Sequence, residues 1–306
     1  MDPRLAVIML SWAWRPEIIL TLGSAAAIHL AGRWRLKQRS RPGSRITSPW
    51  RTASYLAGLA VIWIALMSPI DVLSGQYFFM HMIQHLLLVM IAPPLLLLAD
   101  PMPIMLWGLP DGLRLEIGRW LRPGTLFRRI ARAVTAPGLV WLYFVAFLVG
   151  WHNPSTYNLA LESDLAHDLE HLSFFIPAVL YWWHVIGAAP HIHPRLSRGA
   201  RIAYALAAVP PTALTGIVIS FSGKPIYTYY ETVPRLGTMT VIEDQMVGGT
   251  IMWIPGSMMY ILAALVLIAR MAGEEEKAGQ QAATGWSTTQ APPSPGAQGT
   301  GTGEVE

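Results

Sequence analysis

The sequence predicts an all-α membrane protein, a polytopic helical bundle of about seven transmembrane segments, and three observations carry that expectation. Of 306 residues, 53% are hydrophobic and only 13% are charged. The apolar residues gather in blocks of about twenty, enough to cross a hydrocarbon core of roughly 30 Å. Lys and Arg collect between alternate blocks, as in loops retained in the cytoplasm, so the net charge of +4 reads as loop charge and not as a nucleic-acid surface. Cysteine is absent, which excludes disulfides, thiolate metal sites and thiol redox chemistry and leaves His, Met and carboxylate as metal ligands.

In chain order the expected spans are 16–31, 53–67, 78–99, 137–151, 167–187, 201–221 and 244–271. The first follows Arg4 and Arg15 and precedes a far more basic stretch with no small-residue cleavage site, so it reads as a retained helix and not a signal peptide. Seven cations follow span one (Arg33, Arg35, Lys37, Arg39, Arg41, Arg45, Arg51), six follow span three (Arg114, Arg119, Arg122, Arg128, Arg129, Arg132) and three follow span five (Arg195, Arg198, Arg201). The alternate gaps hold none, none and two (Lys224, Arg235). The positive-inside rule then places the N-terminus outside and the C-terminus in the cytoplasm, with the protein multi-pass in the cytoplasmic (inner) membrane. Residues 113–133, where Arg alternates with Leu, Ile, Trp and Phe, read as a basic amphipathic helix on the inner leaflet or as an ordinary loop. Pro93-Pro94, Pro210-Pro211, Pro177 and Pro255 fall inside spans and predict kinks. Residues 1–272 form the transmembrane domain, and 273–306, rich in Gly, Ala, Thr, Ser, Pro and Gln, read as a disordered cytoplasmic tail.

With that topology, His81, His85, His152, His167 and His171 fall at the extracytoplasmic ends of spans three, four and five. Asp71, Asp164, Asp168, Glu170, Glu243 and Asp244 share the bias. Tyr77, Met80, His81, Gln84 and His85 follow the i, i+3, i+4, i+7, i+8 pattern on one helical stripe, and Asp164, His167, Asp168 and His171 form a second. Asp244, Gln245, Gly248, Gly249 and Met252 lie on one face of span seven, where the glycines permit close helix approach.

Ionisable groups at such depth are costly unless they pair or bind something. For a lone histidine, a hydrogen bond to a neighbour suffices. Two His-x-x-x-His pairs on co-oriented helices point instead to a metal, as one four-His site or two smaller ones, with a hydrogen-bonded network or proton path as the alternative. The expected ligands are His81, His85, His152, His167, His171, Met80 and Asp244, with Asp71, Gln84, Asp164, Asp168, Glu170 and Gln245 orienting them. Imidazoles without thiolates suit copper, zinc or iron, and rim methionines (Met67, Met80, Met82, Met239, Met246) tilt the choice to copper, although most methionines are packing residues. His184, beside Tyr181, Trp182 and Trp183, reads as part of an interfacial aromatic belt. His191 and His193 read as solvated loop residues, and His29 has no partner in the sequence pattern.

The segments His81-Met-Ile-Gln-His85, Ala92-Pro93-Pro94-Leu95-Leu96, Trp151-His152-Asn153-Pro154, His167-Asp-Leu-Glu-His171, Trp182-Trp183, Asp244-Gln245, Gly248-Gly249 and Met252-Trp253, in this order, resemble the multi-span cytochrome c oxidase assembly factor family of the CtaG type. The likeness covers roughly residues 67–268. It implies a metallochaperone-like role in the respiratory chain: taking copper from an extracytoplasmic carrier and helping to insert it into oxidase subunits, with no turnover required. Two other readings use the same histidines: a membrane-embedded metalloenzyme with Glu170 or Asp244 as general base, and a metal or haem transporter with proline-broken helices.

Overall fold

The structure is a computed structural model that describes residues 10–39 and 45–289. Among the described residues all regular structure is helical. In chain order the helices are α1 (Pro16–Arg39), α2 (Pro49–Met67), α3 (Pro69–Ser74), α4 (Phe78–Leu86), a π-helical turn (Leu87–Ile91), α5 (Ala92–Leu98), α6 (Pro101–Gly108), α7 (Asp111–Trp120), α8 (Leu126–Val134), α9 (Pro137–Trp151), α10 (Pro154–Glu162), α11 (Asp164–Ile186), α12 (Arg198–Leu206), α13 (Val209–Ser220), α14 (Tyr229–Thr232) and α15 (Val241–Thr289). Proline opens α2, α3, α6, α9 and α10, where its missing N–H removes a donor that has no helical partner anyway. Ser68, Thr125, Asn153, Ser163 and Ser197 accept first-turn amide protons as N-caps.

At the proline pair in span three the helical register changes. Pro93 cannot donate to the Val89 carbonyl, the chain widens to a π turn in which the Ala92 N–H reaches the Leu87 carbonyl, and the Trp182 indole N–H donates to Val89 at 2.9 Å. A backbone acceptor released by proline is thus satisfied by α11, as an apolar surrounding requires. The Ser54 hydroxyl donates to the Leu95 carbonyl at 2.6 Å, joining α2 to α5.

Among the described residues, four helical stretches are long and apolar enough to cross a membrane: Pro49–Met67, Phe78–Leu98, Arg198–Ser220 and Val241–Gln280. The pair α8 and α9, bent by 52°, makes a fifth if it is one broken span. This is fewer than the seven expected from the apolar blocks. Helices α1 and α11 have the length, 24 and 23 residues, but α1 carries Arg33, Arg35, Lys37 and Arg39, and α11 carries Asp164, Asp168, Glu170 and three histidines. Residues 113–133 form neither one helix nor a loop; they divide between α7 and α8, with a turn at 121–125, and leave Leu115, Trp120, Leu126 and Ile130 exposed beside their arginines.

The chain divides into two compact units, one reaching to Ala264 and one from Leu265 on. In the first, α1 packs along α6, α2 along α5, and α11 against α5, α9 and α10. Its apolar clusters join Ile62, Ala65, Leu88 and Ala92, and Tyr55, Leu59 and Ala99. In the second, Leu265, Val266 and Ile268 are exposed. The composition from Gly273 led to an expectation of no structure; residues 273–289 continue α15, and 290–306 lie outside the described residues.

The α1–α6 contact depends on two glycines. A Cβ on Gly32 would collide with the Ile104 carbonyl, and one on Gly108 with the Ile28 carbonyl. Backbone cannot yield as a side-chain tip does, so Gly32→Ala is expected to lower stability by roughly 1–3 kcal/mol. Gly23→Ala on the same helix meets nothing within 4 Å and is expected to be neutral or stabilising by up to about 1 kcal/mol. Thermal melts of the two variants in detergent separate these outcomes.

Candidate metal centre

Helix α4 begins where the Asp244 carboxylate accepts the Phe78 and Phe79 amide protons at 3.0 and 2.9 Å. This caps the helix one turn before His81. His81 and His85, four residues apart on α4, therefore share a face, and their Nε2 atoms are 2.9 Å apart. Helix α11 presents His167, Glu170 and His171 on the opposing face. Ring centroids of His81 lie 5.2 Å from His167 and 6.0 Å from His171, and His85 lies 5.4 Å from His171. The two His-x-x-x-His pairs thus meet in one cluster. His152, at the end of α9, stands 6.4 Å from His85.

Glu170 lies inside the cluster rather than behind it. The residue is 0% exposed, with Oε2 3.4 Å from His81 Nε2 and Oε1 3.7 Å from His85 Nε2. Donors on a tetrahedral ion bound at roughly 2.0–2.1 Å stand about 3.3 Å apart, so these separations have the spacing of a ligand set. Neither Glu170 oxygen has a hydrogen bond, nor have His81 Nδ1, His85 Nδ1, His152 Nε2, His167 Nε2 or His171 Nε2, all of them buried. Buried polar groups in folded proteins are almost always paired, and here six residues in one place each carry a buried polar atom without a hydrogen bond. His152 is also pre-oriented. Its Nδ1–H donates to the Leu148 carbonyl at 2.7 Å, which turns the Nε2 lone pair outward, the second hydrogen bond that metal-bound imidazoles usually carry.

Around these ligands the sequence-derived partners divide. Gln84 donates to the Ala65 carbonyl at 2.9 Å and to Asp71 at 2.7 Å, tying α4 to α2 and α3. Asp168 pairs with Arg15 at 2.6 Å, and the two border a cavity of about 170 Å³ that reaches His171. Asp164 is exposed and adjoins none of the clustered donors among the described contacts. Gln245 spends its amide on the 219–226 turn, donating to the Ile219 and Lys224 carbonyls and accepting from the Ile226 N–H.

Two expected ligands take other positions. Asp244 caps α4 and forms an ion pair with Arg235 at 2.7 Å, so both its oxygens are committed and it stands apart from the imidazoles. Met80 is half-exposed on α4. The methionine toward the cluster is Met82, which lines a second, apolar cavity of about 50 Å³ together with His85, His152, Met90 and Met252. The stripe containing Met80 and His81 is wider than one contact, and only packing decides which edge turns inward.

Sequence reasoning left three tyrosines unassigned. Tyr157, Tyr227 and Tyr230 are at most 2% exposed; the Tyr157 ring lies 5.2 Å from His81 and 4.0 Å from Tyr227. Tyr227 donates to the His152 carbonyl at 3.2 Å and Tyr230 to the Ser74 carbonyl at 2.9 Å. They wall off the cluster from the α10 and α14 side. The available signal was the concentration of Tyr in segments between apolar blocks. His184 is buried and donates to the Thr135 carbonyl at 2.8 Å. His193 contacts the Thr135 hydroxyl at 3.0 Å. His29 is buried and stacked on Tyr55 at 4.1 Å.

A family model described as cytochrome c oxidase caa3 assembly factor matches residues 27–274. An uncharacterized protein of Mycobacterium bovis is 25% identical over 231 residues, covering 74% of this chain and 35% of that protein. An uncharacterized protein of Mycobacterium leprae is 23% identical over the same coverage. The chain thus spans about a third of the length of these curated relatives. No solved structure matches it.

The position of Asp244 yields a prediction. Asp244→Asn keeps an acceptor for the α4 amides and loses the charge facing Arg235, so it is expected to lower stability by roughly 1–3 kcal/mol, which thermal melts in detergent check.

Proposed function

The chain belongs to the cytochrome c oxidase caa3 assembly factor family, and from that premise we propose that it binds copper as cargo at an extracytoplasmic centre and helps to insert it into the oxidase. The observation that carries this reading is the close set of His81, His85, His167, Glu170 and His171, each with a buried polar atom that lacks a hydrogen bond and with donor atoms at ligand-like spacing. An assembly factor for a respiratory oxidase has reason to handle the metals that the oxidase needs. Imidazole and carboxylate donors admit zinc and iron as well, and the thioethers of Met82, Met90 and Met252 beside His85 and His152 favour copper(I).

In this reading the protein is a seven-span bundle in the bacterial cytoplasmic membrane, N-terminus outside and C-terminus in the cytoplasm. Helices α1 and α11 complete the count, because Glu170, His171 and His184 of α11 are buried within the protein, while Asp164 and the cations of α1 sit near helix ends where they need not meet the lipid core. The extracytoplasmic end then receives copper from a carrier on that side. His81 and His85 from α4, with His171 and Glu170 from α11, hold the ion. The Glu170 carboxylate offsets its charge where burial makes an uncompensated cation expensive. The tyrosine wall excludes water, and the cavity beside Arg15 and Asp168 leads to His171 as the way in and out. Gln84 fixes α4 against its neighbours, so that the two imidazoles keep their spacing when the cargo leaves.

Protein purified from copper-supplemented cells is expected to retain copper. A variant with His81, His85, His167 and His171 all replaced by alanine is expected to hold below about a tenth of the wild-type amount and to leave the cells without oxidase activity. Elemental analysis alongside an oxidase assay in a deletion strain reads both. A folded quadruple variant with its full copper content would refute the site.

A further inference from the structure

Five imidazoles and one carboxylate converge, and a single tetrahedral ion takes four ligands. The donors sort into two groups, His81 with His85 and His171, and His81 with His167 and Glu170; within each, the ligand atoms lie within 4.8 Å of one another. Only His81 belongs to both. One ion placed among the first three leaves His167 Nε2 without a partner, and one placed in the second group strands His171 Nε2; both atoms are buried. The His167 and His171 rings are 4.2 Å apart and fall in different groups. The carboxylate repeats the division, with Oε1 toward His85 and Oε2 toward His81. A carboxylate bridging two ions presents its oxygens in this way.

We propose that this centre holds two metal ions, one on the side of His85 and His171 and one on the side of His167, with the Glu170 carboxylate between them and His81 within reach of either. The inference rests on the copper-binding reading above and deepens it. Adjacent ions in two-metal sites stand about 3.5–4 Å apart, within the span of the two groups. Charge narrows the kind of ion. Glu170 is the one carboxylate in contact with the imidazoles among the described residues; Asp168 is paired with Arg15, and Asp71 faces Gln84. Two monovalent ions leave one net positive charge in the buried cluster, whereas two divalent ions leave three, at a far larger desolvation and repulsion cost. The pair is therefore copper(I).

The test titrates the full chain, purified in detergent, with copper(I) under anaerobic reducing conditions against a chromophoric chelator. The wild-type protein is expected to saturate at about two equivalents. His167→Ala and Glu170→Gln are each expected to saturate at about one, with unchanged melting of the metal-free protein reporting that they fold. Saturation of the wild type at one equivalent overturns the paired site and leaves the copper reading standing. No binding overturns both. Two equivalents retained by His167→Ala also overturn the pair as assigned. The wild-type stoichiometry decides the question even if a variant fails to fold.

Discussion

The rest of the structure is organised around one constraint: polar groups enclosed by apolar helices must find partners inside the protein. Most do. The Val89 carbonyl, released by Pro93, takes the Trp182 N–H, the first amides of α4 take Asp244, and Tyr181 donates to the Tyr204 and Ala205 carbonyls. Against that background, the unpaired nitrogens and oxygens gathered in the His81–Glu170 cluster are a local reversal of the rule, while other unpaired buried atoms, on His29, Thr52 and Tyr260 among others, lie elsewhere. A reversal on this scale is sustainable where a cation supplies the missing interaction.

The cluster is precise because rigid elements hold it. Asp244 anchors the first turn of α4 and is itself fixed by Arg235. The Pro93-Pro94 pair widens the next stretch into a π turn whose free carbonyl is claimed by α11, so the helix that bears His81 and His85 is linked to the one that bears His167 and His171. Close backbone approach adds to this. A Cβ on Gly249 would meet Ser220 and the Gly216 carbonyl within 2.7 Å, so α15 can lie against α13 only with glycine there. Ligand geometry within a few tenths of an ångström needs this kind of support.

The family is described by a process, the assembly of a caa3-type cytochrome c oxidase, and that description says little about chemistry. The curated relatives are about three times longer than the segment they share with it. The structural features therefore bear most directly on chemistry: a closed pocket of imidazole and carboxylate, an adjoining cavity lined by methionine, and a larger cavity reaching His171 past an ion pair.

The helical class, the apolar stretches and the two histidine pairs were legible in the sequence, because burial periodicity and i, i+4 spacing are local properties that the chain carries whatever its neighbours are. The same logic singled out His152, which lies within reach of His85. Tertiary packing decided what remained. It moved Glu170 from a supporting position into contact with the imidazoles, turned Met82 rather than Met80 inward, assigned Asp244 to helix capping, and placed three tyrosines against the site from segments that carry no periodic signal. One helical stripe exposes several residues to several possible neighbours, and only the approach of a second helix selects which of them share a volume small enough for one or two ions.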